Sequence, residues 1–208
     1  MNEETAKERQ RRVVMSGGKW EEYVRLYLND SLRGTGIKVI NGTSEDSIKN
    51  RSLSLWELLS LPLKSSGVGR NVWGDIDLVA IKGDSPITVI SCKLSLHGRF
   101  TETLFWSLLF KSLTRIKVVL ATPDAGRSQK DSWKSEWGTT EHPTKDRLLA
   151  QSYLEAVYVE NVEQFCKYKK PNQRTRLGGI IRPLNELPED IKRWSVDISK
   201  AYTKYPEG

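Results

Sequence analysis

Residues 74–81, with the sequence GDIDLVAI, determine how the centre of this chain can fold. A second apolar run at residues 89–93, VISCK, follows them, and residues 82–86, KGDSP, lie between the two runs. Glycine, aspartate and proline favour a tight turn. The two runs are therefore predicted to be neighbouring strands of one hairpin.

Polar side chains share one face of each predicted strand. Because side chains point alternately to the two faces of a strand, Asp75 and Asp77 lie on one face, and so do Ser91 and Lys93. Pairing in register would bring Asp77 close to Ser91 and Lys93. A carboxylate beside a lysine at one end of a sheet has the charges that a metal-dependent site for cleaving phosphodiester bonds requires, since the carboxylate can hold a metal ion and the ammonium can stabilise negative charge. An ordinary half-exposed hairpin, with its polar side chains facing water, is the alternative that the pattern leaves open.

Length, charge and cysteine content limit the class of protein. A chain of 208 residues fits one domain with a buried core, and its formal net charge of +7 favours a polyanionic partner. Cys92 and Cys166 are too few for a disulfide framework or a zinc site, so a reducing, cytoplasmic setting is expected. The sequence has no apolar run long enough to span a membrane and no secretion signal at its start, so no membrane partner is expected.

Helical and strand patterns alternate along the chain and predict an α/β protein. We expect a basic N-terminal arm at residues 1–15 and a single domain at 16–208. Apolar residues at helical spacing from Trp20 to Leu32 predict the first helix, with Glu21 on the flank of its apolar stripe. The other expected elements are an edge strand and a loop within 34–50, a short helix at 53–63, a flexible basic loop at 64–71, a helix at 101–113, a buried parallel strand at 116–121, a helix at 145–154, a strand at 156–159 and a final helix at 183–194.

Asp77 and Ser91-Cys92-Lys93 resemble the signature of type II restriction endonucleases of the PD-(D/E)xK nuclease superfamily, an aspartate on one strand and Glu/Asp/Ser-x-Lys on the next. The segment 92–100, CKLSLHGRF, is similar to the Cys-Lys-Thr-Ser-Leu-Arg-Glu-Arg-Trp segment of several such enzymes. Residues 121–124, ATPD, and 182–184, RPL, also look like theirs. The resemblance implies a restriction-endonuclease-like α/β core, in which a central mixed sheet is flanked by helices.

The resemblance also implies a metal site in which the second acid of the usual motif is replaced by Ser91. A serine cannot supply the negative charge that Mg²⁺ prefers. Some enzymes with Ser-x-Lys carry the missing acid on the helix after the lysine, where this chain has Glu102. We therefore expect Mg²⁺ at Asp77, Glu102 and the backbone carbonyl of Cys92, with Glu21 as the second candidate acid. Secondary candidates that could support the site are Asp75, His97 and Arg99.

The activity implied is that of a type II site-specific deoxyribonuclease acting on double-stranded DNA. Lys93 would orient the attacking water, and hydrolysis would leave a 5′-phosphate and a 3′-hydroxyl without a small-molecule cofactor. Cutting both strands of a palindrome implies a homodimer. The alternatives are a resolvase-like or repair nuclease on the same core, a strand-nicking subunit of a heteromeric restriction enzyme, and a non-catalytic DNA-binding module.

Three basic segments, 64–71, 126–147 and 167–176, are expected to recognise DNA as loops inserted in the domain. Arginine and lysine read guanine edges and hold phosphates. The second segment also contains Trp133 and Trp137, and a solvated linker is the alternative for the third. The candidate DNA contacts are Lys64, Arg70, Arg127, Lys130, Lys134, Lys169, Lys170, Arg174 and Arg176.

Overall fold

A computed structural model describes residues 17–65, 68–96, 100–124, 127–129, 132–160 and 176–201. These residues form helices and strands that alternate along the chain. In chain order they are α1 (Gly17–Ser31), β1 (Ile37–Asn41), α2 (Glu45–Arg51), α3 (Leu53–Leu59), β2 (Leu61–Ser65), β3 (Val68–Val72), β4 (Leu78–Lys82), β5 (Ser85–Cys92), α4 (Phe100–Leu113), β6 (Lys117–Thr122), β7 (Arg127–Gln129), β8 (Ser132–Lys134), α5 (Lys145–Tyr153), β9 (Ala156–Val159), β10 (Ile181–Pro183), a 3-10 turn (Leu184–Glu186) and α6 (Leu187–Ala201).

Six of the strands form one mixed sheet in the order β1-β4-β5-β6-β9-β10. Strands β1, β4 and β5 are antiparallel neighbours, whereas β6, β9 and β10 continue parallel to β5. The predicted hairpin is confirmed, because Leu78 pairs with Ile90 and Val79 with Val89. This register places Asp77 opposite Ser91, at the end of the sheet where β5 and β6 terminate.

Helices cover both faces of the sheet. One face carries Val79, Val89 and Leu120, which pack in a core shared with α3, α4 and α5. The opposite face carries Leu78, Ile90, Cys92, Ala121 and Tyr158, against α1 and α6. The predicted stripe of α1 is confirmed, since buried side chains lie at intervals of four residues, at Trp20, Val24 and Leu28 in the helix and at Leu32 just after its end. The central mixed sheet flanked by helices is the expected fold class.

Several segments differ from the sequence predictions. The final helix, expected at 183–194, begins at Leu187, after β10 and the 3-10 turn. Residues 45–51 were expected in a loop but form α2, which Ser44 caps by accepting a hydrogen bond from the Ser47 amide. Helix α3 ends at Leu59, and Pro62 lies in β2. The expected flexible loop at 64–71 is wrong, because β2 and β3 pair as a hairpin from Leu61↔Val72 to Ser65↔Val68.

The long loop expected at 126–147 contains regular secondary structure where the structure describes it. It contains the short hairpin of β7 and β8, and Trp137 is fully buried with its ring edge-on to Phe100 at 5.5 Å. Trp137 is therefore a core residue and not part of a recognition surface. The arm at 1–15 lies outside the described residues. Across the described ranges, every helix is too short or too polar to cross a membrane.

Gly42 allows β1 to approach the segment that carries the aspartates. Its amide donates to the Asp77 carbonyl at 3.0 Å, and a Cβ added at Gly42 would lie 2.3 Å from Cγ2 of Ile76 and 3.0 Å from the Ile76 carbonyl oxygen. We expect Gly42→Ala to lower the free energy of unfolding by about 1–3 kcal/mol, as overpacked sites do. Urea denaturation would measure it. Gly18→Ala is the matched control, because nothing lies within 4 Å of its added Cβ, and an equal loss in that variant would contradict the explanation.

Candidate active site

Asp77 lies immediately before β4, and the backbone of the neighbouring strand fixes its carboxylate. The Cys92 amide donates to Asp77 Oδ2 at 2.7 Å, and the Ser91 hydroxyl donates to the same oxygen at 3.3 Å. The Asp77 side chain is 7% exposed. The carboxylate is thus held in one orientation at the end of the sheet.

Lys93 follows β5 and stays in the sheet, since its amide donates to the Ala121 carbonyl at 3.1 Å. Its ammonium Nζ lies 3.0 Å from Asp77 Oδ2 and 3.2 Å from Asp75 Oδ2. The predicted grouping of Asp77, Ser91 and Lys93 is therefore present, and Asp75 joins it. With side-chain exposures of 8% for Lys93 and 7% for Asp77, the alternative of a hairpin facing water is wrong.

The charge of Lys93 is maintained by its neighbours. Burial by itself lowers the pKa of this ammonium, but the charges and hydrogen bonds of Asp77 and Asp75 outweigh burial and raise the pKa above its ordinary value. A group with a raised pKa keeps its proton at neutral pH and loses it only as the pH rises through the raised value. Lys93 is therefore held as a cation beside the two carboxylates.

Helix α4 contributes Thr103 to the site. Its Oγ1 lies 3.0 Å from the Ser91 Oγ, and both side chains are buried. Glu102, the acid expected there, lies in the first turn of the same helix and is exposed. Side chains one position apart on a helix point about 100° apart, so the geometry that turns Thr103 toward Ser91 turns Glu102 toward solvent.

Helix α1 approaches the site from the opposite face of the sheet. Trp20 Nε1 donates at 3.0 Å to the Ala121 carbonyl, the same oxygen that accepts from the Lys93 amide. Glu21 is the next residue and is half-buried. Its negative charge is close enough to raise the pKa of the Cys92 thiol, after the larger effects of burial and of Asp77. Glu21 thus lies near the end of β5.

The Cys92 side chain is packed in the core and takes no part in the site, as predicted from the alternation of the strand. Burial raises its pKa far above the ordinary value, and each unit of increase lowers the reactive thiolate fraction about tenfold. In a Cys166→Ser background we expect the native thiol to react with a maleimide at least roughly tenfold more slowly than the urea-unfolded thiol. Equal rates would mean that Cys92 is accessible.

The donor set can be compared with the needs of a metal ion. In the described part of the chain, His, Cys, Asp and Glu side chains do not gather in a group of three that could hold a metal. Mg²⁺ commonly takes only one or two carboxylates and completes its shell with water. Asp77 and Asp75, with the Cys92 carbonyl, are hard oxygen donors that could meet this requirement.

The predicted DNA contacts differ in whether their side chains are exposed, buried or outside the described residues. Lys134, at the end of β8, is exposed. Arg176 is buried and its guanidinium lies 3.0 Å from Asp124, so its assignment as a DNA contact is corrected to a structural ion pair. For the remaining candidates, the whole residue or its side chain lies outside the described part of the structure: Lys64, Arg70, Arg127, Lys130, Lys169, Lys170 and Arg174. His97 and Arg99, the secondary candidates for the site, also lie outside it.

Sequence reasoning missed three buried residues around the site: Thr103, Asp124 and Glu136. Thr103 and Glu136 belong to no motif, so the sequence carried no signal for either residue. Asp124 could have been found, because it lies two residues after the end of an apolar strand, within the ATPD segment.

Comparisons with known proteins identify the family of the chain. Residues 59–177, more than half of the chain, match the family described as BsaWI restriction endonuclease type 2. The chain is also similar to a solved structure, the crystal structure of the specific restriction endonuclease AgeI in complex with DNA. The TM-score is 0.58, with 16% identity over 88% of this chain and 68% of that one, and this likeness shows the fold. No curated protein matches the chain significantly. The chain belongs to the BsaWI family of type II restriction endonucleases and is a site-specific deoxyribonuclease.

Proposed function

We propose that the enzyme hydrolyses both strands of a specific duplex sequence with Mg²⁺, leaving 5′-phosphate and 3′-hydroxyl ends, and that Asp77 and Lys93 carry the reaction. The supporting observation is the buried ammonium of Lys93, which lies 3.0 Å from Asp77 and 3.2 Å from Asp75. Asp77 and Lys93 are buried, and Asp75 is one third exposed beside them. Buried charges are costly to desolvate, so such a cluster is typical of a functional site that acts on a charged group.

Asp77 is proposed to hold the metal, with Asp75 or the Cys92 carbonyl as a further donor. When bound, Mg²⁺ neutralises the scissile phosphate and lowers the pKa of a coordinated water. The Cys92 amide and the Ser91 hydroxyl fix the Asp77 carboxylate, and Thr103 fixes Ser91 in turn. Ser91 is thus a positioning residue and does not supply the missing charge.

Lys93 is proposed to stabilise the negative charge that grows on the phosphate oxygens and to orient the attacking water. Its raised pKa supports this role, because the group remains an ammonium at neutral pH. A fixed cation at the position where charge develops is more effective than water, since it need not reorganise during the reaction.

Glu21 is proposed as the additional acid in preference to Glu102. Its helix is anchored to the Ala121 carbonyl, which also accepts from the Lys93 amide. Glu102 is exposed, and in that helix Thr103 turns toward the site.

DNA is proposed to lie along the basic segments, with the exposed Lys134 as one contact. One catalytic centre per chain and two antiparallel strands to cut favour a homodimer whose two-fold axis coincides with that of a palindromic target. Residues 16–208 would form one catalytic domain in each subunit.

Digestion of a phage DNA of known sequence, followed by mapping of the ends, tests the proposal. With Mg²⁺ we expect discrete fragments that share one short sequence at their ends. The ends should be ligatable, as 5′-phosphates and 3′-hydroxyls are, and EDTA should abolish cutting. Cutting unaffected by EDTA would refute the metal mechanism. Cleavage of branched DNA regardless of sequence would favour a resolvase, nicking of one strand a heteromeric subunit, and binding without cleavage a non-catalytic module.

A further inference from the structure

Glu136 holds the loop that follows Lys93. The Leu96 amide donates to both carboxylate oxygens of Glu136, at 3.3 and 3.4 Å, and Glu136 is 2% exposed. The Leu96 carbonyl accepts from the Phe100 amide at 3.4 Å. The loop is therefore attached at Leu96, three residues after the proposed catalytic lysine, to a charged group in a distant part of the sequence.

Asp124 in turn holds Glu136. Its Oδ1 accepts from the Glu136 amide at 2.9 Å, and its Oδ2 accepts from the Ser135 hydroxyl at 2.6 Å. Asp124 is fully buried and has a φ of 49°, in the left-handed region that aspartate tolerates better than most residues. The Thr144 hydroxyl donates to the Glu136 carbonyl at 2.8 Å. Glu136 is thus fixed at both its amide and its carbonyl.

Arg176 connects the same group to Glu160. Its Nη1 lies 3.0 Å from Asp124 Oδ2, and its Nη2 donates to the Glu160 carbonyl at 2.9 Å. One guanidinium therefore ties the Glu160 backbone to Asp124. The Glu160 amide donates to the Thr122 carbonyl at the end of β6, which keeps the junction at the active-site end of the sheet.

We propose that Glu136 is a positioning residue for the backbone that follows Lys93, and that Arg176 and Asp124 are coupled to this backbone through Glu136. The inference rests on the proposed function, because it assigns Glu136 a role in DNA cleavage. Without the Glu136 carboxylate the Leu96 amide loses its acceptor, and the backbone three residues after Lys93 is no longer fixed. A small displacement of a catalytic group can reduce a rate by about 10²-fold.

Two substitutions of Glu136 separate positioning from folding. Glu136→Leu removes the acceptor for the Leu96 amide, whereas Glu136→Gln keeps one amide oxygen in its place. In single-turnover cleavage we expect Glu136→Leu to lower the rate at least roughly tenfold, with the Kd for cognate DNA changed less than about threefold, and Glu136→Gln to restore most of the rate. A wild-type rate in Glu136→Leu, or a loss in Glu136→Gln as large as in Glu136→Leu, would overturn the proposal.

Hydrogen exchange in the free protein tests the inference without DNA cleavage. We expect the Leu96 amide to exchange at least roughly tenfold faster in Glu136→Leu and also faster in Arg176→Met, but not in Glu136→Gln. Tyr158→Phe is the matched control, because it removes a buried hydrogen bond to Asp190 elsewhere in the sheet. Exchange at Leu96 that is unchanged in Glu136→Leu or Arg176→Met, or accelerated equally by Tyr158→Phe, would overturn the coupling. Failure of the wild-type enzyme to cleave DNA would instead refute the proposed function.

Discussion

Lys93→Ala is expected to lower the single-turnover rate of DNA cleavage by at least about 10³-fold and to leave the Kd for cognate DNA within about tenfold of the wild-type value. Removal of one fixed donor to a developing oxyanion costs about 10²–10³ in rate, and here the donor is a full charge. Its side chain is 8% exposed between two aspartates, and a water that entered the space left in the alanine variant would carry no charge. DNA binding depends on many contacts to phosphates, of which Lys93 would supply one at most.

Asp77→Asn should produce a similar loss for a different reason. The asparagine oxygen can still accept from the Cys92 amide, so the backbone arrangement at 2.7 Å is retained while the metal ligand loses its charge. Rates should be measured with enzyme in excess over DNA and across a range of Mg²⁺ concentrations. A high Mg²⁺ concentration should restore part of the rate in Asp77→Asn but not in Lys93→Ala. That difference would separate the role of Asp77 in holding the metal from the role of Lys93 in stabilising charge.

Lys82→Ala is the matched control, because Lys82 lies in the same hairpin at the far end of β4 and is exposed. It should leave the rate unchanged. Cleavage at the wild-type rate by Lys93→Ala would show that the catalytic centre lies elsewhere. Parallel binding and melting measurements are needed, since Lys93 also neutralises Asp75 and Asp77 in the folded protein.

The central hairpin could be predicted because local patterns determine it. Strand alternation, a turn rich in glycine and proline, and the short separation of the two strands all specify one register, and with it the meeting of Asp77 with Ser91 and Lys93. The helix at Trp20 and the strand at 116–121 carried similarly strong periodic signals. In each case the information lies within one short stretch of neighbouring residues.

The surroundings of the hairpin could not be predicted, because they depend on contacts between distant residues. Arg176 looked like part of a basic DNA-binding run, yet it pairs with Asp124, 52 residues away in the sequence. Trp137 stood in a polar stretch but packs on Phe100. Composition reports the charge and polarity of a segment and not which side chain turns inward, so basic loops are the segments where such reasoning fails most readily.

The second prediction with a large effect concerns which glutamate supplies the additional carboxylate. Glu21→Gln should reduce cleavage by about 10²-fold or more, whereas Glu102→Gln should stay within about threefold of wild type. The expectation rests on position: Trp20 and the Lys93 amide share the Ala121 carbonyl, and the charge of Glu21 reaches Cys92, whereas Glu102 is exposed. Glu22→Gln controls for the loss of an acid from the same helix, since Glu22 is exposed and pairs with Arg25 at 2.7 Å.

The dependence on metal distinguishes a ligand from a nearby charge. If Glu21 holds the ion or its water, Glu21→Gln should need more Mg²⁺ for half-maximal rate and should still be slower at saturation, because an amide is a weaker ligand for a hard cation than a carboxylate. If Glu21 acted only through the electric field of its charge near Cys92, the Mg²⁺ concentration needed for half-maximal rate would be the same in Glu21→Gln as in the wild type. A large loss in Glu102→Gln with an intact Glu21→Gln would instead place the acid on α4, which would require this helix to rotate by about one residue so that position 102 replaces Thr103 beside Ser91.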